Sequence, residues 1–528
     1  MNFKGGGLKR RVMVWIFFIG FFQESLLQAA PVSPNHRLTF RLRAEPETLD
    51  WNLAHTPVEA DLLTNLMEGL VSFDEKSQVK PALAQTWTLS PDGKTYVFHL
   101  KPGVKWSDGL VLKAQDFVFS WKRLLSRILA APYAYLLFDV QGAEDYYRGV
   151  LSDFSKVGIQ ALDDLTLQVK LKYPVSQWIQ TLAFWPTYPL RQDSVEKHGG
   201  SWTSPAKLLT LGPYRLETHD FDSKFILKPN PFYHGILGNV DEVVARIVKS
   251  DREALRLYEA GELDFLSDLS QSDVKSLAGR SDLKKFPQLK TAYLSFTVDQ
   301  YPVSSVNMRR AIMMALDKSK LSKVFNLSQS PATSLIPPGL LGYSSKIGLS
   351  YNLKKAKQEM ALARVDSNSN IKIHYLLPDW DKSVAVGQWV HDELSKNLGI
   401  DVILQPLDHL SYRAQLDFRK AAIADCSWTA DTPDPHSFIS VFLSNSGNNS
   451  SNFKSQSFDE KVEQARRSSD LKERESLYLS LQKTLLEEEV VVYPIYYESN
   501  LSLIRPRVRD IEVNSLGYLY LRRVDVVP

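Results

Sequence analysis

Apolar and polar residues alternate at Leu38-Thr39-Phe40-Arg41-Leu42, which predicts a strand, and the turn-rich Ala44–Asp50 follows it. Over 60–70, Leu62, Leu63, Leu66 and Met67 fall on one face of a helix. The segments 86–89 and 95–100 flank Pro91-Asp92-Gly93, a hairpin signal. Phe117, Trp121, Leu124 and Leu125 share a helical face behind Lys113, a weak N-cap. Leu165, Leu167, Val169 and Leu171 alternate as another strand. From about 290 the pattern becomes strand–helix–strand: Ile371, Ile373, Tyr375 and Leu377 alternate, a helix spans 382–396, and Ile400–Leu404 is a second apolar strand. That order predicts a βαβ unit in a parallel sheet. Capping boxes at Ser457/Glu460 and Asp470/Glu473 start two further helices, and Val490–Tyr497 returns as a strand. There is no internal repeat, and the Asn/Ser-rich 444–452 is a short loop.

The N-terminus changes the picture of where the chain works. Lys4, Lys9, Arg10 and Arg11 precede an apolar run from Val12 to Phe22, too short for a comfortable membrane span, and Gln28-Ala29-Ala30 supplies small residues for cleavage. Residues 1–30 therefore read as a cleaved secretory signal without a lipid-anchor cysteine, and a soluble periplasmic protein is expected. This leader accounts for the net charge of +3, so the remainder is neutral and gives no argument for nucleic-acid binding. The single cysteine, Cys426, excludes an intramolecular disulfide. Almost 500 mature residues exceed one hydrophobic core and imply two or three lobes.

The stretch with the most chemistry is Cys426-Ser427-Trp428-Thr429-Ala430-Asp431-Thr432-Pro433-Asp434-Pro435. The apolar Ala421–Ala424 leads into it, and two prolines stiffen its exit, so it reads as a rigid loop ending a buried strand. A carboxylate three residues after a Trp can meet a ligand ammonium beside an aromatic wall. The same residues also fit an Asp that caps the next segment and a Trp that packs.

Trp428, Ala430, Asp431, Pro435, Ser437-Phe438 and then Ser446-Gly447-Asn448-Asn449 and Phe453 resemble the oligopeptide-binding proteins of bacterial ABC importers, solute-binding family 5. So do Met67-Glu68-Gly69-Leu70, Phe98–Gly109 with Ala114–Trp121, Leu211–Tyr214, Lys228–Tyr233, Tyr258–Asp264 and Val306–Asp317. The resemblance covers nearly all of 38–528. It implies an α/β, periplasmic-binding-protein-like fold: two α/β lobes with a hinge and a ligand cleft between them, plus a smaller extra domain. The implied bounds are 31–67, 193–289 and 498–528 for lobe I, 68–192 for the extra domain and 290–497 for lobe II. Asp431 would hold the α-ammonium of an extended peptide, with Trp428, Tyr133, Tyr293 and the backbone of Ser427, Thr429, His55, Thr56 and Pro57 forming the wall; Tyr133 equally fits a core position. Many relatives carry a disulfide beside the ligand, and Lys290 and Thr429 stand where its cysteines would be. Four other departures concern the ligand pocket: Asp425 and Leu416 replace family arginines, Ser383 replaces a His that can meet short peptides' C-termini, and His409 falls where the family has a pocket Trp.

No H-E-x-x-H, Walker loop, G-x-S-x-G or G-x-G-x-x-G is present, and none of the ten His forms an i, i+4 pair. Asp431 and Asp434 as a glycosidase pair is a remote alternative. The expectation is a monomeric, non-enzymatic receptor without cofactor or metal. It would bind short peptides and hand them to an inner-membrane ABC permease with its ATPase subunits. The alternative is a family receptor for a murein-derived peptide, a dipeptide, or a nickel or haem complex.

Overall fold

A computed structural model describes residues 36–74, 77–267, 269, 271–323, 329–363, 371–418 and 421–527. The signal segment 1–30 lies outside them. In chain order the elements that position the site are β1 (Arg37–Leu42), α1 (Pro57–Leu66), β2 (Ala84–Leu89), β3 (Thr95–Leu100), α2 (Ala114–Leu124), β4 (Ile159–Asp163), β5 (Thr166–Lys170), β6 (Tyr214–Asp220), β7 (Lys224–Pro229), β8 (Glu242–Ile247), β9 (Phe265–Leu266) and β10 (Leu283–Phe296). They continue with β11 (Lys372–Pro378), α3 (Asp381–Leu398), β12 (Asp401–Leu407), α4 (His409–Asp417), β13 (Ile423–Thr429), α5 (Gln456–Arg467), α6 (Leu471–Lys483) and β14 (Val492–Ile504).

An eleven-stranded mixed sheet runs through the described residues in the order β12-β11-β13-β10-β14-β9-β1-β8-β7-β6, with a short Ser330–Pro331 strand pairing beside β14. Its two ends are linked by β10 and β14, which pair antiparallel along most of their length. Their register breaks between Pro287 and Thr291, opposite Ser499 and Tyr497. There β10 places three residues, Gln288–Lys290, against the single Glu498 of its partner, a bulge that lets the sheet bend. The expectation that the returning strand ends at Tyr497 is corrected here: β14 passes straight through the bend to Ile504.

On one side of the bend, β11 and β12 pair in parallel around α3, the βαβ unit read from the sequence. Leu294, Phe296, Ile312, Ile373, Tyr375, Val390, Val402 and Ile495 form its core. On the other side β1 pairs in parallel with β8, and α1 lies against the end of that half. A separate four-stranded antiparallel sheet, β2-β3-β5-β4, carries the hairpin whose turn holds Gly93 at φ +69°. Trp106, Phe117 and Trp121 are fully buried beside it, and Trp121 Nε1 donates to the Thr187 carbonyl at 2.7 Å. Asp116 reaches back to the Lys113 N–H at 3.0 Å, supplying the cap that the lysine cannot.

One helix start differs from expectation. Helix α5 is capped by Ser455, which accepts from Phe458 N–H at 3.3 Å, so Ser457 and Glu460 are not its capping box. The earlier Ser wins because its backbone is extended while Ser457 already lies inside the first turn. Asp470 does cap α6. No helix among the described residues is long and apolar enough to cross a membrane.

Candidate functional site

Beyond Ala424, β13 pairs with β10 alone among the described residues. Ala430 N–H donates to Leu289 O at 2.8 Å, and Thr297 N–H donates to Ala422 O at 3.0 Å. Even-numbered residues of β13 therefore turn their hydrogen-bonding groups toward β10, and Asp425, Ser427 and Thr429 turn theirs the other way. On that side β11 pairs only with Ile423 and Ala424. The Asp425 carbonyl accepts from the Tyr412 hydroxyl. Ser427 and Thr429 are left as an open strand edge, able to pair with an extended chain.

The loop after β13 separates two carboxylates by task. Asp434 is buried, accepts the His436 N–H at 2.8 Å, and has Arg474 Nη2 at 3.1 and 2.9 Å from its two oxygens. His436 beneath it is held neutral, its pKa pushed down to about 3 by burial and then by Arg466 and Arg474. The Thr432 N–H donates to the Ser437 hydroxyl at 3.3 Å. The loop is thus closed by Asp434, Ser437 and Arg474, and the capping role belongs to Asp434. Its ion pair with Arg474 also removes it from any glycosidase pair.

Asp431 makes no hydrogen bond or ion pair among the described residues. Its carboxylate reaches solvent through the cleft mouth, yet the walls desolvate it enough to lift its pKa above the ordinary range. Its charge is felt by Tyr133, Tyr135 and Tyr518, whose hydroxyls burial already pushes upward. Asp431 lines a cavity of about 520 Å³ together with His55, Thr56, Pro57, Tyr133, Lys290 and Thr429.

The opposite wall of that cavity is aromatic. Tyr133 stands 5.0 Å from Phe184 and 6.3 Å from Trp185, and Trp185 stands 5.5 Å from Tyr518, centroid to centroid. Trp185 Nε1 donates to Ala54 O at 3.0 Å, and the Tyr133 hydroxyl donates to His55 O at 3.4 Å. These bonds fix the rings against the turn that starts α1. There Glu59, fully buried, accepts the Thr56 N–H at 2.7 Å and the Glu47 N–H at 3.0 Å. Phe184, Trp185 and Tyr518 were not singled out from the sequence. The Phe-Trp-Pro run at 184–186 was the available signal for the first two, and Gly517, at φ +91°, for the turn that presents the third.

A second cavity of about 200 Å³ shares Lys290 with the wall of the first. It gathers Tyr293, Asp425, Ser427 and Trp428, so the candidates fall into two adjoining groups. Tyr293 is almost wholly buried and packs on Phe442 at 5.9 Å, and Trp428 Nε1 is buried without a hydrogen-bond partner among the described residues. His409 opens α4, and its side chain lies outside the described residues. Asp425 and Ser383, both departures from the family pattern, meet here. Burial raises the Asp425 pKa to about 6, against the Ser383 hydroxyl and the charges of Lys382 and Lys290 that favour its ionised form. Burial also works against Glu498, but Lys290, at 3.4 Å, and Lys382 outweigh it and hold its pKa down. Lys290 sits directly opposite Thr429 across the β10–β13 pair, so the two disulfide positions of relatives are cross-strand neighbours here.

The profile of the bacterial extracellular solute-binding proteins, family 5, matches residues 78–450. The chain belongs to this family. It is 30% identical over 485 residues to the periplasmic oligopeptide-binding protein of Salmonella typhimurium, covering 88% of each chain. It is 29% identical over 515 residues, 94% of each chain, to an Escherichia coli protein described as a probable deoxycholate-binding periplasmic protein. Among solved structures, the unliganded open form of a periplasmic murein tripeptide-binding protein matches with a TM-score of 0.83 at 26% identity, covering 94% of this chain and 98% of that one. The family fold, two α/β lobes about a cleft, is the one described above.

Proposed function

We propose that this family-5 protein is an extracytoplasmic receptor that binds short peptides in extended form and delivers them to an ABC permease and its ATPase subunits. The observation that carries this reading is Asp431: a partly desolvated carboxylate without a hydrogen-bond or ion-pair partner among the described residues, beside an open strand edge and facing aromatic rings. A peptide α-ammonium fits that carboxylate, and backbone pairing to Ser427 and Thr429 tolerates many sequences. Lobe I comprises 31–67, 193–289 and 498–528, the extra domain 68–192, and lobe II 290–497. These bounds meet where the register of β10 and β14 breaks, which supports that bulge as the hinge. Export by a cleaved signal would place the receptor in the periplasm, as a monomer.

The E. coli relative described as probably binding deoxycholate supports a second reading, an amphipathic acid lying along the aromatic wall. A metal complex has less support, because among the described residues no group of three His, Cys, Asp or Glu could hold an ion. Mass spectrometry of small molecules released from denatured, freshly purified protein separates these readings. Peptides in the released fraction support the first, and a bile-acid-like or other non-peptide ligand in their place overturns it.

A further inference from the structure

One arginine joins the extra domain to lobe II. Arg466, at the end of α5, places Nη1 at 2.9 and 3.1 Å from the two carboxylate oxygens of Asp139, and its Nη2 donates to the Tyr173 hydroxyl at 3.0 Å. The guanidinium groups of Arg466 and Arg467 stand 5.0 and 4.6 Å from the Tyr173 ring. The Ser176 hydroxyl and N–H both donate to the Arg466 carbonyl, at 3.3 and 3.4 Å. Burial opposes the Arg466 charge, but Asp139 outweighs it and raises the pKa. Among the described residues, the hydrogen bonds between 68–192 and 290–497 converge on this one residue. The extra domain is fastened to lobe I at several places instead: Arg123 to Asp50 and Asn52, Trp185 to Ala54 O, and the Ser107 N–H to Thr210 O.

We propose that Arg466 is a positioning residue: its grip on Asp139 sets the Asp431 loop of lobe II in register with the Tyr133 wall of the extra domain. The inference rests on the peptide reading and the lobe bounds above. Asp139 closes a short segment that Tyr133 opens, with the 3-10 helix Ala134–Leu137 between them. On the other side, Arg474 of α6 donates from Nε to Ala465 O at 3.0 Å, beside Arg466, and from Nη2 to Asp434 in the loop that carries Asp431. Both arginines also act on the buried His436 of that loop. A chain of hydrogen bonds and two short stretches of backbone therefore links Tyr133 to Asp431, which face each other in one cavity. The planar fork of Arg466 fixes direction as well as distance, which a point charge would not. With the grip released, the two walls sample more arrangements, and a ligand that needs both must bear the cost of ordering them.

The test is displacement calorimetry with a panel of tri- to pentapeptides and their N-acetylated forms. Asp139→Asn and Arg466→Gln should each weaken the free-amine peptides about tenfold, and Arg466→Lys should lose less. The double variant Asp139→Asn/Arg466→Gln should lose no more than either single one, because both break the same pair. The N-acetylated forms cannot engage Asp431, so their affinities should change by less than about twofold. A merely structural role would weaken both forms alike. Amide hydrogen exchange of the ligand-free proteins needs no ligand: residues 432–438 should exchange faster in Asp139→Asn and Arg466→Gln than in the unmodified protein. Melting curves confirm that each variant is folded. If peptides bind the unmodified protein and the variants equally, if both peptide forms weaken alike, or if exchange in that loop is unchanged, the positioning role is wrong and the peptide reading stands. If no peptide of the panel binds the unmodified protein, the peptide reading itself fails and the positioning role with it.

Discussion

Removing the Asp434 carboxylate should loosen the loop that carries Asp431. Asp434 and Arg474 side chains are only 3% and 6% exposed, and Arg474 Nη2 touches both carboxylate oxygens. In Asp434→Ala the guanidinium stays buried beside a His436 that is neutral and offers no compensating charge. Breaking such a pair from one side costs about 3–5 kcal/mol. Arg474 keeps two consolations, a bond to Ala465 O at 3.0 Å and the Tyr478 ring 5.5 Å away, which favour the lower end, about 3 kcal/mol. The His436 N–H also loses its acceptor, a smaller cost of about 1 kcal/mol. Urea unfolding followed by tryptophan fluorescence measures the sum. The double variant Asp434→Leu/Arg474→Met should lose less than the two single variants added together, because it leaves no buried charge. A loss below about 1 kcal/mol in Asp434→Ala, or strict additivity in the double variant, would refute the claim that this ion pair holds the loop.

If lobes close at the β10–β14 bulge on binding, small-angle scattering should show a smaller radius of gyration with bound peptide; an unchanged radius with binding independently confirmed contradicts that closure. Lys290→Cys with Thr429→Cys should form a disulfide on mild oxidation, read by thiol titration that leaves only Cys426, because the two positions face each other across the strand pair. The long enclosed loop sets a ceiling of about 5 kcal/mol on the stabilisation, and less should be realised. Peptide affinity should fall on acidification: the ammonium partner must be ionised, and the pKa of Asp431 in the free protein is raised, so the loss begins at a higher pH than an ordinary aspartate would give. Calorimetry between pH 4 and 7 checks this, and Asp431→Asn should abolish that dependence.

Much of the fold was readable because the periodicities were clean. The alternation at 371–377 and 38–42 and the Pro91-Asp92-Gly93 turn each became the expected element. The bend was legible only through family resemblance. No local pattern marks Gln288–Lys290 as a bulge, since it arises from two strands of unequal path meeting at a distance in sequence. Asp431 stands out by motif, but that the neighbouring Asp434 takes the capping duty was not legible, because it depends on Arg474 arriving from another helix. The setting of Asp425 was not legible, because Lys290, Lys382 and Arg413 line the same cavity from three other elements. The aromatic wall escaped notice because Trp185 and Tyr518 are far apart in sequence and meet only in the fold.

The central claim is that Asp431 holds a ligand α-ammonium, and a four-member calorimetric cycle tests it most directly. The members are the unmodified protein and Asp431→Asn, each with a binding peptide and its N-acetylated form. Each single change should cost about 3 kcal/mol, enough to move a micromolar peptide to near-millimolar affinity. The second change should then cost little more, because both break the same pair. Two full losses that simply add would contradict the account.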